Sequence, residues 1–207
     1  IIYNTLKGIC LQFEYSAKYN ELAEYEYLVG AKITEDGEVA LLPFSKYNID
    51  SKTADIHIRE AGKYFITFFK KSFDDIDEIG WAKKEITLMA SKGIINGTSE
   101  TKFSPSKEIK RGDLIKLIVN SLGLEGNKDN GFIDVKPEDY YYEEISAAKQ
   151  YGLIKGDGKN FNPEDYITRQ DLTVIIDRVF KLLGSDITAN NVAISEFIDS
   201  ADVSEYA

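Results

Sequence analysis

The 207-residue chain contains one cysteine, Cys10, and one histidine, His57. A disulfide framework and a Cys/His zinc site are therefore excluded within one chain, and neither residue shows a partner for a Cys-His catalytic pair. Positive charge is also scarce, since 25 Lys and Arg stand against 35 Asp and Glu, a formal net charge of −10. Phosphate binding needs clustered cations, which argues against a nucleic-acid partner and equally against a basic membrane patch. Long hydrophobic runs are missing: apolar stretches such as Ala40–Leu42 and Val174–Ile176 fall far short of the roughly 20 residues that cross a bilayer. No membrane insertion is expected. With 43% hydrophobic and 29% charged residues the composition is nonetheless that of a folded globular chain.

Neither a basic leader nor a small-residue cleavage site is present at the start, which reads Ile1-Ile2. Any export signal is expected to lie outside this sequence, and the chain is expected to be a fragment.

The first 71 residues are rich in Tyr, Phe, Ile and Val and are nearly neutral, with 9 basic and 10 acidic side chains. Turn signals stand at Glu35-Asp36-Gly37 and Ala61-Gly62. Period-two alternation in Asp55-Ile56-His57-Ile58-Arg59 places the isoleucines on one face and puts His57 outward. The Tyr64–Phe69 stretch is apolar on both faces. Together with Thr5–Tyr15, Tyr25–Ile33 and Glu38–Leu42 these make about five strands, a small antiparallel sandwich.

After Ser72 the hydrophobic period lengthens to about 3.6. Ile79, Ala82, Ile86, Met89 and Ala90 share one helical face, and Leu114, Leu117, Ile118 and Ser121 another. The arrangement then repeats. Phe73, Asp75, Trp81, Ile86, Gly93, Ile95 and Gly97 recur 59 positions later as Phe132, Asp134, Tyr140, Ile145, Gly152, Ile154 and Gly156. At an offset of 58, Phe103, Pro105, Ile109, Arg111, Asp113, Leu114 and Ile118 reappear as Phe161, Pro163, Ile167, Arg169, Asp171, Leu172 and Ile176. A third copy opens at Phe197-Ile198-Asp199 and reaches Tyr206-Ala207, which match Trp81-Ala82.

Each copy reads as a helix, a glycine-containing loop and a second helix. Gly93 and Gly152 stand where the first helix ends, a left-handed position that glycine adopts without strain. Phe103 and Phe161 are expected to plug the loop onto the helix pair. In Thr168-Arg169-Gln170-Asp171 the threonine is a natural N-cap and the acid at N3 suggests a capping box. Lys110 takes the threonine's place in the first copy, giving up that cap and adding a cation beside Arg111. Free amides and the dipole at a helix start attract anions, and an arginine there offers a two-pronged grip on a carboxylate. Arg111 and Arg169 are thus candidates for a local anion site. The competing structural reading pairs them with Asp113, Asp171 or another nearby acid.

The ordered set Phe73-Asp74-Asp75-Ile76, Trp81, Gly93-Ile94-Ile95-Asn96-Gly97, Phe103-Ser104-Pro105 and Ile109-Lys110-Arg111-Gly112-Asp113 resembles the S-layer homology module. The second copy repeats it as Phe132-Ile133-Asp134-Val135, Tyr140, Gly152-Leu153-Ile154-Lys155-Gly156, Phe161-Asn162-Pro163 and Ile167-Thr168-Arg169-Gln170-Asp171. The fold class expected is α+β, an antiparallel β-sandwich-like domain followed by all-α helix-loop-helix repeats. The divisions are residues 1–71, a spacer or the end of a larger surface domain, 72–128 and 129–190 for two repeats, and 191–207 for the start of a third.

The resemblance implies an extracellular, cell-wall or S-layer location and non-covalent anchoring to an anionic secondary cell-wall polysaccharide, often a pyruvylated one. Modules of this kind usually come in threes, with ligand grooves between repeats. It carries the family's ligand-contacting arginine over to Arg111 and Arg169. Lys110, Trp81, Tyr140, Gly97 and Gly156 are secondary ligand candidates, through added charge, ring stacking on a sugar and close backbone approach. Aspartate replaces the family's usual glutamate at both Asp113 and Asp171. The incomplete third repeat leads to an expectation of self-association. No cofactor and no metal are expected: Asp157, Asn160, Asn162 and Asp165 lack calcium-loop spacing and its closing glutamate. No enzyme is expected either, since no nucleophile and base pair up, and adjacent Glu143 and Glu144 point in different directions on a helix. The alternative function is a structural surface-lattice module that binds protein and no glycan.

Overall fold

A computed structural model describes residues 9–58, 60–126, 130–185, 198, 200–204 and 206. Among these residues the fold is α+β, with two small antiparallel sheets and five α-helices. The chain divides into two compact units, Lys7–Lys107 and, for the greater part, Glu108–Ala207.

The first unit holds β1 (Ile9–Glu14), α1 (Tyr19–Leu22), β2 (Leu28–Ile33), β3 (Val39–Leu42), β4 (Lys46–Asn48), β5 (Thr53–Ile58), β6 (Lys63–Phe68) and α2 (Gly80–Ser91). The strands form two three-stranded sheets, ordered β1-β5-β4 and β3-β2-β6. Alternation in β5 holds through Ile56, with Ala54 and Ile56 fully buried and Asp55 half-buried between them, while His57 and Ile58 are both half-buried. The β6 stretch is half-buried on both faces rather than fully buried. A Cβ on Gly30 would stand 2.5 Å from Ile56 Cγ2, so the glycine is what allows β2 of one sheet to approach β5 of the other.

Three features of this unit differ from the expectation. Tyr25–Tyr27 is a 3-10 turn, and β2 starts only at Leu28. The α1 turn before it is pinned by the Glu21 carboxylate, which accepts from Lys18 N at 2.7 Å. The short β4 was missed because three residues show no period; what holds it is Tyr47, buried, its hydroxyl donating to Tyr15 O at 3.2 Å. Finally, the β1–β5 register sets Cys10 directly opposite His57, so the lone cysteine and histidine are cross-strand neighbours after all. Desolvation and the Asp55 carboxylate push the Cys10 thiol up, which keeps it protonated and disfavours nucleophilic use.

Within this unit α2 buries Ile86 and Ala90, flanked by Thr87 and Ser91, and leaves Met89 exposed. The buried stripe is narrower than the sequence face because polar groups share it: Ser91 Oγ donates to Thr87 O at 2.6 Å and accepts from Lys71 N at 2.9 Å. Gly93, at φ +70°, closes the helix, its N–H reaching Ala90 O at 3.0 Å. Asp75 then staples the following loop, accepting from Phe103 N and Ser104 N, each at 2.8 Å.

The second unit contains α3 (Arg111–Leu122), α4 (Tyr142–Gln150) and α5 (Arg169–Leu182). Its core gathers Ile115, Val119, Ile145, Ala148, Leu153 and Phe161. On α3 the centre of the buried face is Ile115 and Val119, with Leu114 and Ile118 at its margin. The shift of one position from the expected face follows from Gly112, where a Cβ would meet the Tyr141 ring at 2.9 Å. The bare backbone there lets that aromatic lie against the first turn. The loop staple recurs: Asp134 accepts from Phe161 N at 2.9 Å and Asn162 N at 2.7 Å. Phe161 is only 1% exposed, the plug its position suggested, and its ring stands 5.7 Å from Phe132.

Helix packing runs between copies. The second helix of the first copy, α3, lies on the first helix of the second copy, α4. Ile118 and Leu122 of α3 are thereby covered, whereas their counterparts on α5, Ile176 and Phe180, are exposed. Of the third copy's opening, Phe197, Asp199, Glu205 and Ala207 lie outside the described residues.

Candidate functional site

The segments entering α3 and α5 run antiparallel. Lys110 and Tyr166 form a β-bridge, and Ile167 N donates to Ile109 O at 3.1 Å. Arg111 N reaches Asp165 O at 2.8 Å and Gly112 N reaches Pro163 O at 2.9 Å. The first amides of α3 are therefore consumed by the partner segment, and the expectation of a free helix start behind Arg111 is corrected. Whatever anion attraction exists here comes from side chains.

The Arg111 side chain points across the duplication. Its Nε donates to Phe161 O at 3.1 Å and its Nη1 to Asp171 Oδ2 at 2.7 Å, while the guanidinium carbon lies 4.9 Å from the centre of the Phe161 ring. Only 18% of the side chain is exposed. The structural pairing with Asp171 is thus real, yet the guanidinium is not sealed. It forms part of the wall of a cleft of about 770 Å³, lined also by Gly156, Phe161, Tyr166, Asp171 and Tyr206. An apolar floor with a few fixed polar groups on its walls is a common form of small-ligand site.

Asp171 is the hub. Its N–H is capped by Thr168 Oγ1 at 3.2 Å, as expected of the threonine, but the carboxylate does not return to close a capping box. It accepts instead from Arg111 and, at 2.7 Å, from the Tyr206 hydroxyl. The first copy has the equivalent bond, from the Tyr140 hydroxyl to Asp113. In each case the aromatic that opens one copy latches onto the N3 acid of the copy before it. The Asp171 bond raises the Tyr206 hydroxyl above its ordinary range; Tyr140 is raised by desolvation first and by Asp113 second.

The structure brings Arg111 and Gly156 of the expected set into one cleft. Lys110 is turned to Glu164 and raised by that hydrogen bond; it lacks a capping side chain, as its sequence position implied. Arg169 is exposed on the first turn of α5, with no side-chain hydrogen bond or ion pair among the described residues. Tyr140 is occupied by Asp113, with Lys116 Nζ 5.5 Å from its ring centre. Trp81, in the first unit, is 86% exposed on α2. The space above Gly97 and Gly156 is filled from within. A Cβ would meet Lys102 O at 2.3 Å at Gly97 and Asn160 O at 2.4 Å at Gly156, so closure of each loop requires its glycine.

Tyr206 and the double use of Asp171 were missed by reasoning on spacing alone. The alignment of Tyr206 with Trp81 and Tyr140 was the available signal. Asp157 accepts from Lys159 N at 3.0 Å and Asn160 N at 2.7 Å, so its carboxylate caps its own turn. Among the described residues no group of three or more His, Cys, Asp or Glu side chains is placed to hold a metal ion.

A family model for the S-layer homology domain matches residues 72–115 and 131–173. Among curated proteins, the chain is 32% identical over 163 residues to an amylopullulanase of Thermoanaerobacterium thermosulfurigenes, covering 78% of this chain and 9% of that protein. It is 38% identical over 141 residues to the exoglucanase XynX of Acetivibrio thermocellus, 67% of this chain and 13% of that one. It is 31% identical over 136 residues to a surface-layer 125 kDa protein of Lysinibacillus sphaericus, 65% of this chain and 11% of that one. The chain thus spans about a tenth of the length of these relatives.

Proposed function

The chain carries two S-layer homology domains, a cell-surface anchoring module, and from that premise we propose that it tethers its parent protein to the cell wall by binding an anionic, pyruvylated secondary polysaccharide. The observation that carries this reading is the cleft beside Arg111. A guanidinium held on two fixed acceptors and on an aromatic face keeps further N–H groups to offer, and a carboxylate-bearing sugar suits such a donor. Tyr166 and Tyr206 supply rings on which a sugar could lie. Arg169 is proposed as a second contact, on the strength of its exposure and its equivalence to Arg111. Lys110, Trp81, Tyr140, Gly97 and Gly156 are weaker candidates, for the reasons their surroundings give.

Residues 1–71 are read as a spacer or the end of a larger surface domain, residues 72–128 and 129–190 as two repeats, and 191–207 as the start of a third. The exposed Ile176 and Phe180 stripe on α5 supports self-association, to be checked by sedimentation of wild type against Phe180→Asp. The relatives named as enzymes lend no catalytic role to this segment, which is proposed to act by binding alone.

The test is co-sedimentation with purified peptidoglycan sacculi, with and without the attached polymer. Arg111→Lys and Arg169→Ala are compared with wild type, helicity being followed by circular dichroism; lysine keeps the charge at 111 and limits disturbance of the Asp171 contact. Polymer-dependent binding weakened by both variants at unchanged helicity supports the anchor. Binding indifferent to the polymer points instead to a protein lattice.

A further inference from the structure

We infer that Lys155 and Arg178 form a second anion-reading point in the Arg111 cleft, so that the bound glycan presents two acidic groups, one to Arg111 and one to this pair. The inference rests on the glycan-anchoring reading and deepens it. Both side chains line the same cleft as Arg111. Arg111 is already charge-matched by Asp171 at 2.7 Å. Lys155 and Arg178 have no acidic partner among the described residues: Lys155 is exposed, and Arg178 spends Nη1 on the neutral Leu153 O at 3.0 Å. That single bond fixes the guanidinium and leaves the rest of its fork for a ligand.

Among the described residues no acid of the cleft forms an ion pair with Lys155 or Arg178. Asp171 is bound to Arg111 and Tyr206, and the Asp157 carboxylate is held below its usual range chiefly by the amides of Asn160 and Lys159. Asp165 belongs to the Arg111 end, where its carbonyl receives Arg111 N. Ile154, Val174 and Ile175 also line the cleft, and beside such apolar surface a charge interaction is less screened than in open water.

The duplication gives an independent argument. At the offsets of 59 and 58 that relate the copies, Lys155 corresponds to Asn96 and Arg178 to Asn120. Both cations are thus neutral amides in the first copy. Both residues are cations in the copy whose loop and second helix line the Arg111 cleft.

The experiment uses the whole chain and sacculi carrying their secondary polymer, with polymer-stripped sacculi as control, across roughly 50 to 300 mM NaCl, a range over which exposed charges become strongly screened. The variants are Lys155→Asn, Arg178→Asn and Arg178→Lys, the asparagines being the first copy's own residues. Lys155→Asn, which touches no structural hydrogen bond, is expected to bind about tenfold more weakly, as loss of a charge-assisted contact implies, with a shallower salt dependence and unchanged helicity. Arg178→Asn is expected to do the same and Arg178→Lys to recover part of the loss. Polymer-dependent wild-type binding that Lys155→Asn leaves unchanged in strength and salt dependence overturns this inference alone. Failure of the wild type to distinguish the two kinds of sacculi overturns the anchoring reading beneath it, and the inference with it.

Discussion

Arg111, the first residue of α3, donates to Asp171 in the first turn of α5 at 2.7 Å, although the two stand 60 positions apart in sequence. Each belongs to a different copy of the repeat, and each copy would hold an unmatched charge without the other. The contact sits on the Phe161 ring and shares its carboxylate with Tyr206. One carboxylate, that of Asp171, therefore joins the first copy, the second and the opening of the third.

Removing the acid leaves a mostly covered guanidinium unpaired. Asp171→Ala is expected to lower unfolding free energy by about 1–2 kcal/mol, between the small value of surface pairs and the larger cost of orphaning a buried one. Urea denaturation of Arg111→Ala, Asp171→Ala and the double variant measures it. A double variant no less damaging than the two singles added together would show that the residues are not coupled.

Phe161 carries both the plug and the platform under Arg111. Phe161→Ala is expected to cost about 3–5 kcal/mol, as for other buried aromatics cut back to alanine. Phe161→Leu should cost much less by refilling most of the space. Thermal unfolding of the two variants is the check, and equal losses would mean that the ring fills no cavity.

Two glycines of one loop separate strain from crowding. Gly156 and Gly158 both have positive φ, +67° and +103°, but a Cβ on Gly156 would lie 2.4 Å from Asn160 O and 2.6 Å from Phe132 Cε1, whereas above Gly158 there is open space. Gly158→Ala should show only the backbone penalty, on the order of 1 kcal/mol, and Gly156→Ala distinctly more. Matching midpoints in denaturant would contradict this.

Acid should loosen the first repeat's loop through Asp75. The amide of Phe103, and then that of Ser104, hold its carboxyl below the usual aspartate range. A carboxyl depressed on folding stabilises above its unfolded pKa, and that contribution fades as pH falls through the folded value. Hydrogen exchange at Phe103 N and Ser104 N should therefore accelerate as pH drops below about 4, after correction for intrinsic rates. Asp75→Asn should show faster exchange already at neutral pH and little further change in acid.

Much of this was readable from residue order. The duplicated Phe-x-Asp, Gly-x-x-x-Gly, Phe-x-Pro and arginine positions marked two units, and Gly93, Gly152, Thr168 and Phe161 do what their local chemistry suggests. Other features were illegible because their causes are distant in the chain. The tight approach of Gly30 to Ile56, the three-residue β4 and the Cys10–His57 register arise from strand pairing, which composition does not encode one segment at a time. The α3 face centred one position from its expected place because Gly112 admits Tyr141, a residue of the next copy.

Sequence alone determined the repeat, its caps and turns, and the placing of an arginine at the head of each second helix, since these rest on interactions within a few residues. Tertiary structure alone decided that α3 packs on α4, that the amides behind Arg111 are taken by Asp165 and Pro163, and that Arg111 meets Asp171 while Arg169 points into solvent. Those outcomes depend on how one copy docks against the next. Two stretches that share the same motif positions acquire different surroundings once each faces a different neighbour.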